Sequence, residues 1–210
     1  MERDFSRLPR HITMLFLLMF FCVFAFTSII RDRAEQAQQQ ELASILSATS
    51  EAPALGTRIK STGCVISGPF PDPECTPGSV FSEATPKQVC VPGYTKKVRN
   101  VSNKLRKQIF AEYGISYPQP TGSYEVDHFI PLAIGGNNDS ANLFPEAAAP
   151  APGFREKDVV EIFLQQEVCA GRADLGAAQR QIASNWLTVY NSLTEEQIQA
   201  IRLKFRSWSN

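Results

Sequence analysis

An apolar segment lies close to the start of the chain. Residues 12–30 carry no charged side chain, and a short basic tail, residues 1–11, precedes them. At about 1.5 Å per residue, a helix of this length just crosses a hydrocarbon core roughly 30 Å thick. No clean A-x-A cleavage site follows, which favours an anchor over a cleaved signal peptide. We therefore predict a single-pass helix in the cell's inner membrane, with the charge bias placing the rest of the chain outside the cytoplasm.

The pattern after this segment predicts a spacer and then a folded domain. Residues 31–50 are polar and rich in good helix formers, and 51–61 resemble a linker, so 31–61 form a helical spacer and linker. The domain follows over 62–210. Its first part, 62–93, is rich in glycine, proline and cysteine, which predicts loops held by disulfides.

Four helices and two short extended runs are predicted in the remainder of this domain. Capping residues and apolar spacing predict four helices: from Asn100 or Ser102 to about Tyr113, from Phe154 to about Gly171, from Asp174 through Val189, and from Glu195 to about Trp208. Between the first two helices, Tyr124–Phe129 is typical of a strand. A loop containing Pro131, Gly135 and Gly136 follows, and Asn142–Phe144 resumes an extended run.

Composition adds little about partners. Apolar residues make up 43% of the chain, enough for a core, and the formal net charge is zero. Attraction to nucleic acid must therefore come from a local patch. Residues 96–107 hold such a cluster, which is equally well explained as a solvated helix face or as a phosphate-binding surface. The candidate nucleic-acid-binding residues within it are Lys96, Lys97, Arg99 and Lys104.

Cysteine usage indicates an oxidising compartment. Outside the apolar segment the chain has four cysteines, Cys64, Cys75, Cys90 and Cys169. An even number in an exported domain predicts two disulfides, and no C-x-x-C pair supports a zinc site. Four cysteines allow three pairings, and the sequence does not choose among them.

Asp127 and His128 carry the strongest chemical signal. They stand side by side at the end of the predicted strand, and the other histidine, His11, precedes the apolar segment. A carboxylate beside an imidazole can hold a metal and activate a water. Successive side chains on a regular strand face opposite sides, so the two can share a site only where the strand ends or bends.

The surrounding motifs resemble a known family. D-H-x-I-P-L, G-G-x-N-D, N-L-F-P and then K-D on a helix span Val126 to Asp158. Together they resemble the HNH (ββα-metal) nucleases, in the small exported or membrane-tethered bacterial form. The resemblance implies an α+β fold, with a ββα-metal core and additional helices, here preceded by the transmembrane helix. It also implies hydrolysis of nucleic acid, with DNA favoured, and a divalent metal cofactor, Mg²⁺ or Mn²⁺.

The same resemblance implies roles for individual residues. His128 is the general base, Asp127 is a metal ligand, and Asn142 braces the loop and orients the histidine. One departure stands out, because Arg155 occupies about the place where the family supplies a histidine from the following helix, and arginine cannot ligate a metal. A carboxylate could replace the missing ligand, and the candidates are Glu146, Glu156 and Asp158. We take Glu156 and Asp158, with Asp127, as the predicted metal ligands, and Arg155 as a phosphate-binding residue.

Three functions remain open from the sequence. The first is a metal-dependent endonuclease acting outside the cytoplasm. The second is a catalytically inactive HNH-like module that binds nucleic acid or a protein partner at the cell envelope. The third is a structural envelope protein with a disulfide-bonded domain. Arg155 favours the second, whereas the intact motifs favour the first; the oligomeric state is not predicted.

Overall fold

The computed structural model describes residues 27–42, 44 and 55–206. The chain divides into two compact units, Met1–Ala43 and Ser44–Asn210. Of the first unit, the described part is a single helix, α1 (27–42), whose side chains are mostly exposed. This helix overlaps the predicted spacer and agrees with its helix-forming composition.

The structure does not support the predicted transmembrane helix. In the part of the chain that the structure describes, no helix is long and apolar enough to cross a membrane. Residues 27–30, the end of the predicted span, lie in helix α1 with exposed side chains, while 12–26 lie outside the described residues. The prediction of an N-terminal anchor is therefore wrong on this finding, and so is the localisation in the inner membrane that was built on it.

The second unit is α+β, as predicted. Its described helices and strands are α2 (Pro86–Val89), α3 (Tyr94–Val98), α4 (Asn103–Glu112), β1 (Tyr124–His128), β2 (Leu143–Ala147), α5 (Phe154–Cys169), α6 (Leu175–Ser192) and α7 (Glu195–Arg206). The strands form a two-stranded antiparallel sheet in which Asp127 lies opposite Phe144 and His128 opposite Leu143. Because β1 ends at His128, its last two residues can both reach the surface of one cleft.

Local capping explains where the helices begin. The Ser102 hydroxyl accepts from the backbone N–H of Leu105 at 3.2 Å, and the Asp174 carboxylate accepts from that of Ala177 at 2.8 Å. Both bonds satisfy N–H groups that lack partners within the helix. The predicted starts of α4 and α6 are confirmed; the short helices α2 and α3 were not predicted.

Apolar residues of the sheet and helices form the core. One cluster joins the sheet to α4, and its members are Ile109, Phe110, Val126 and Leu143. A second cluster packs the cysteine-containing N-terminal segment on the other side of β2, and its members are Cys64, Cys75, Tyr113, Phe129 and Phe144. Trp186 of α6 is fully buried and belongs to the core.

Two disulfides close the second unit, as the four cysteines predicted. Cys64 pairs with Cys75, and Cys90 pairs with Cys169. The second bond ties the end of α2 to the last residue of α5, across 79 residues of chain. Disulfides persist in oxidising compartments, so this pairing supports an oxidising location for the domain.

Candidate active site

The loop between β1 and β2 is held by one buried amide. The Oδ1 atom of Asn142 accepts from the backbone N–H of Ile130 at 2.9 Å, and its Nδ2 donates to the carbonyls of Ile130 and Asn137, both at 2.9 Å. Gly136 allows this closure, because a Cβ there would lie 1.8 Å from the Ile130 carbonyl oxygen. Asn142 thus fixes the path of the chain immediately after His128.

Asn138, on the same loop, contacts the histidine directly. Its Oδ1 lies 3.2 Å from His128 Nε2. The same oxygen accepts from the backbone N–H of Asn100 at 2.9 Å, and Nδ2 donates to the Val98 carbonyl at 2.8 Å. These backbone partners fix the orientation of the amide, so Nε2 must donate to it and carries the proton of the neutral ring. Asn138 is the N of the G-G-x-N-D motif, but sequence reasoning did not select it.

His128 is almost completely enclosed, with 1% of its surface exposed. Burial lowers the pKa of the imidazole to about 4, although the Asp127 carboxylate and the Asn138 bond act in the opposite direction. The ring is therefore neutral at pH 7. With the proton held on Nε2, the lone pair lies on Nδ1, which is the form required of a general base.

Asp127 accepts two hydrogen bonds at the strand end. Its Oδ1 accepts from the backbone N–H of His128 at 2.8 Å, and its Oδ2 from the Lys157 ammonium group at 2.9 Å. Burial raises the pKa of this carboxyl, but the charge of Lys157 outweighs it and brings the pKa to about 2. The carboxylate is consequently ionised throughout the physiological range.

Lys157 of α5 is the residue that links the helix to the strands. Its side chain is fully buried, and the Nζ atom donates to Asp127, to the His128 carbonyl at 2.8 Å, and to Glu161 at 2.5 Å. Glu146 of β2 lies 3.7 Å away. From the sequence, Lys157 had no predicted role beyond its place in the K-D motif. The four-residue spacing between Lys157 and Glu161 was the signal that could have shown the pair.

The predicted metal ligands are brought together only in part. Both carboxylate oxygens of Glu156 have partners, the Gly153 N–H at 2.9 Å and the Arg202 guanidinium at 3.2 Å. Among the described residues there is no group of three or more histidine, cysteine, aspartate or glutamate side chains that could hold a metal. Asp127 and Asp158 do line one cleft. Burial, and then the charge of Asp127, raise the pKa of Asp158 to about 7.

The cleft has a volume of about 1550 Å³ and a partly cationic lining. Of the predicted nucleic-acid-binding residues, Arg99 and Arg155 line it, whereas Lys96, Lys97 and Lys104 do not. Arg155 lies over the Phe154 ring at 4.7 Å and donates to the Gly122 carbonyl at 3.4 Å. Three further cations line the cleft: Arg106, which belongs to the basic cluster at 96–107, and Arg202 and Lys204, which were not selected from the sequence.

Comparison with family models, curated proteins and solved structures gave no match for this chain. The likeness to HNH nucleases therefore rests on the motifs between Val126 and Asp158 and remains a prediction. The geometry of the cleft is the independent basis on which a function can be argued.

Proposed function

We propose that this chain is an endonuclease of HNH type, which hydrolyses phosphodiester bonds of nucleic acid in an oxidising compartment. One observation carries the proposal: Asp127 and His128 end β1 on the lining of a large cleft, and Lys157 of α5 bonds to both residues. Two strands and a helix thus present a carboxylate and a neutral imidazole together. Arginines on the same cleft supply cations for the phosphate backbone.

His128 is the general base in this proposal. Asn138 holds the Nε2 proton, which leaves the lone pair of Nδ1 to take a proton from the attacking water. Asn142 maintains this arrangement indirectly, because it closes the loop that carries Asn138. Lys157 fixes the Asp127 carboxylate and the His128 carbonyl, so the strand end cannot rotate freely.

In this proposal a divalent cation would bind through two carboxylates, those of Asp127 and Asp158, which line the same cleft. Asp158 forms no hydrogen bond or ion pair that would compete for a metal within the described residues. Asp127 interacts with the His128 N–H, Lys157 and Glu146, and a carboxylate has about four lone-pair sites, so one remains for a metal. Mg²⁺ commonly binds one or two carboxylates and keeps several waters. Bound there, Mg²⁺ or Mn²⁺ would act as a Lewis acid at the phosphate. Glu156 is not part of this set, because Gly153 and Arg202 occupy it.

The second candidate is a non-catalytic module that binds nucleic acid through the same cleft. The observation that favours it is Arg155, whose guanidinium lies over Phe154 where a metal-binding histidine was expected. An arginine there can contact phosphate but cannot hold a metal. In this reading the buried His128 and its partners stabilise the loop.

A nuclease assay on the full chain separates the two candidates. Purified protein is incubated with DNA and RNA, with Mg²⁺ or Mn²⁺ and with chelator. We expect metal-dependent cleavage that falls by a factor of about 10²–10⁴ in His128→Ala, since that is the usual cost of losing a general base. His128→Asn, which keeps a polar side chain of similar size, serves as the folding control, and thermal unfolding is measured for each protein.

Two outcomes would overturn the nuclease proposal. Equal cleavage by wild type and both His128 variants would show that another group, or a contaminant, does the chemistry. Binding of nucleic acid without cleavage under any metal condition would favour the non-catalytic module.

A further inference from the structure

One wall of the cleft is aromatic. The ring of Phe110 on α4 lies 5.3 Å from that of Tyr117 and 6.2 Å from that of Tyr124, measured between centroids. All three residues line the cleft. Phe110 is buried, but Tyr117 keeps 41% of its surface exposed. The packing thus holds a tyrosine ring in place and leaves part of it open to a ligand.

Guanidinium groups lie on the same cleft as these rings. Arg106 precedes Phe110 by four residues on α4, so their side chains are neighbours on one face of the helix. Arg99 and Arg155 also line the cleft. Within residues 55–206, none of the three arginines forms a salt bridge. Arg99 and Arg155 interact at longer range with Glu125, and Arg155 also with Asp158. Because no ion pair among these residues holds the three guanidinium groups, an anionic ligand in the cleft can contact them.

The depth of the reactive groups restricts the shape of that ligand. His128 is 1% exposed, and the Asp127 side chain is 15% exposed. A phosphate must enter the cleft to reach them. Duplex DNA is a stiff rod, with a persistence length of about 50 nm, that carries its phosphates on the outside. A single strand bends easily, so one of its phosphates can enter the cleft while the adjacent base rotates toward the aromatic wall.

We propose that the cleft binds single-stranded nucleic acid, with a base stacked on Tyr117 and neighbouring phosphates on Arg99, Arg106 and Arg155. This inference rests on the proposed function for its site and adds the class of substrate. A cationic groove combined with an aromatic ring is the arrangement by which proteins bind single strands without reading sequence. An acidic peptide would use the arginines but would have no planar base to stack on the ring.

Fluorescence anisotropy with the full chain in chelator tests the inference without requiring cleavage. The probes are a labelled single-stranded DNA, the matching RNA, and a duplex of the same length. We expect at least one single strand to bind about tenfold or more tighter than the duplex. Tyr117→Ala should weaken that binding roughly 5- to 100-fold, while Tyr117→Trp, which retains a stacking face, should preserve it.

The arginines are tested by the salt dependence of the same binding. Arg106→Ala should reduce the slope of log K against log salt by about 0.7, the value for one phosphate contact on a single strand. Lys107→Ala is the matched control, because Lys107 is exposed on the same helix and does not line the cleft. It should leave the slope nearly unchanged.

The outcomes separate this inference from the proposed function. Duplex binding as tight as single-strand binding, or no effect of Tyr117→Ala, overturns the inference even if the protein cleaves DNA. Tyr117-dependent binding of single strands without cleavage in Mg²⁺ or Mn²⁺ supports the inference and overturns the nuclease proposal.

Discussion

At Lys157 one buried ammonium group faces three carboxyl groups, those of Asp127, Glu146 and Glu161. Three carboxylates cannot all stay ionised around a single positive charge away from water. Burial raises the pKa of Glu146 well above its ordinary value and that of Glu161 to about 8, against the opposing effect of Lys157. Both shifts favour the protonated forms of Glu146 and Glu161, whereas the pKa of Asp127 is lowered to about 2, so the negative charge of the cluster is concentrated on Asp127.

Replacing the buried ammonium should destabilise the fold strongly. Lys157→Met leaves Asp127 without its cationic partner in a buried place, and breaking a buried ion pair in this way typically costs about 3–5 kcal/mol. We expect a loss of that size in the free energy of unfolding, measured by denaturant titration at pH 7. Lys107→Met, an exposed change on α4, should stay within about 0.5 kcal/mol. Equal stability of the two variants would contradict the stabilising role of the ion pairs that Lys157 forms.

The raised pKa of Glu161 makes a prediction about pH. Its folded value of about 8 exceeds the ordinary 4.5, so the stability it contributes is fully present below about pH 4.5 and is lost as the pH rises through 8. Glu161→Gln, which cannot ionise, should therefore reduce the fall in unfolding free energy between pH 5 and 8. Thermal unfolding across that range measures it. Glu196→Gln, an exposed change on α7, should leave the wild-type slope in place.

At the scale of elements, the loop between β1 and β2 depends on the close approach of the Gly136 backbone to the carbonyl group of Ile130. Gly136→Ala would place a methyl group 1.8 Å from the Ile130 carbonyl oxygen and 3.0 Å from Asn142 Nδ2. The loop must shift and lose bonds made by Asn142, so we expect destabilisation of about 2 kcal/mol or more. Gly176→Ala in α6 is the control, because its nearest contact is the flexible end of Arg180, and it should change stability by less than about 1 kcal/mol. Chemical denaturation compares the two, and equal effects would refute the role of Gly136.

The elements of the second unit could be predicted because local signals mark them. Ser102, Asp174 and Thr194 cap α4, α6 and α7 through their own side chains, and such bonds depend on a few adjacent residues. The strand that ends at His128 could be predicted from an equally local signal. The short helix α2 carries a capping box, in which Gln88 accepts from the Thr85 N–H, and Pro86 at its first turn, but this signal was not used in predicting the helices. The short helix α3 begins after Gly93 and has no side-chain cap.

The site was predicted less completely, because burial is a property of the fold. Nothing adjacent to Lys157 in the sequence shows that Asp127 and Glu146 surround it, since strand pairing brings them there. For the same reason Glu156 was chosen as a ligand although Arg202, far along the chain, binds it. The apolar pattern at 12–30 predicted a membrane anchor, and no membrane-spanning helix is found in the described residues.

For the whole molecule, net charge and local charge give different information. The formal net charge is zero, yet the cleft combines carboxyl groups at its proposed reactive centre with five cationic side chains along its lining: Arg99, Arg106, Arg155, Arg202 and Lys204. Attraction to nucleic acid would therefore be local and sensitive to salt.

The two disulfides should contribute unequally to stability. In the chain-entropy model the cost of closing a loop rises with its length. Cys90–Cys169 spans 79 residues and Cys64–Cys75 spans 11, which correspond to roughly 4.5 and 2.8 kcal/mol at 25 °C. Replacing both cysteines of the longer bridge by alanine should therefore lower the free energy of unfolding by about 1–2 kcal/mol more than the same change in the shorter one.

Denaturant titration of the two double variants under oxidising conditions measures this difference. Packing acts in the opposite direction, because Cys64 and Cys75 are buried in the core, whereas Cys169 is exposed. A larger loss in the Cys64→Ala/Cys75→Ala protein would therefore show that core packing outweighs loop closure.

Since the long bridge ties the end of α5 to α2, its removal should also loosen the helix that carries Lys157. Faster hydrogen exchange in α5 of the Cys90→Ala/Cys169→Ala protein, with α4 little changed, is the expected result; uniform exchange across both helices would contradict it.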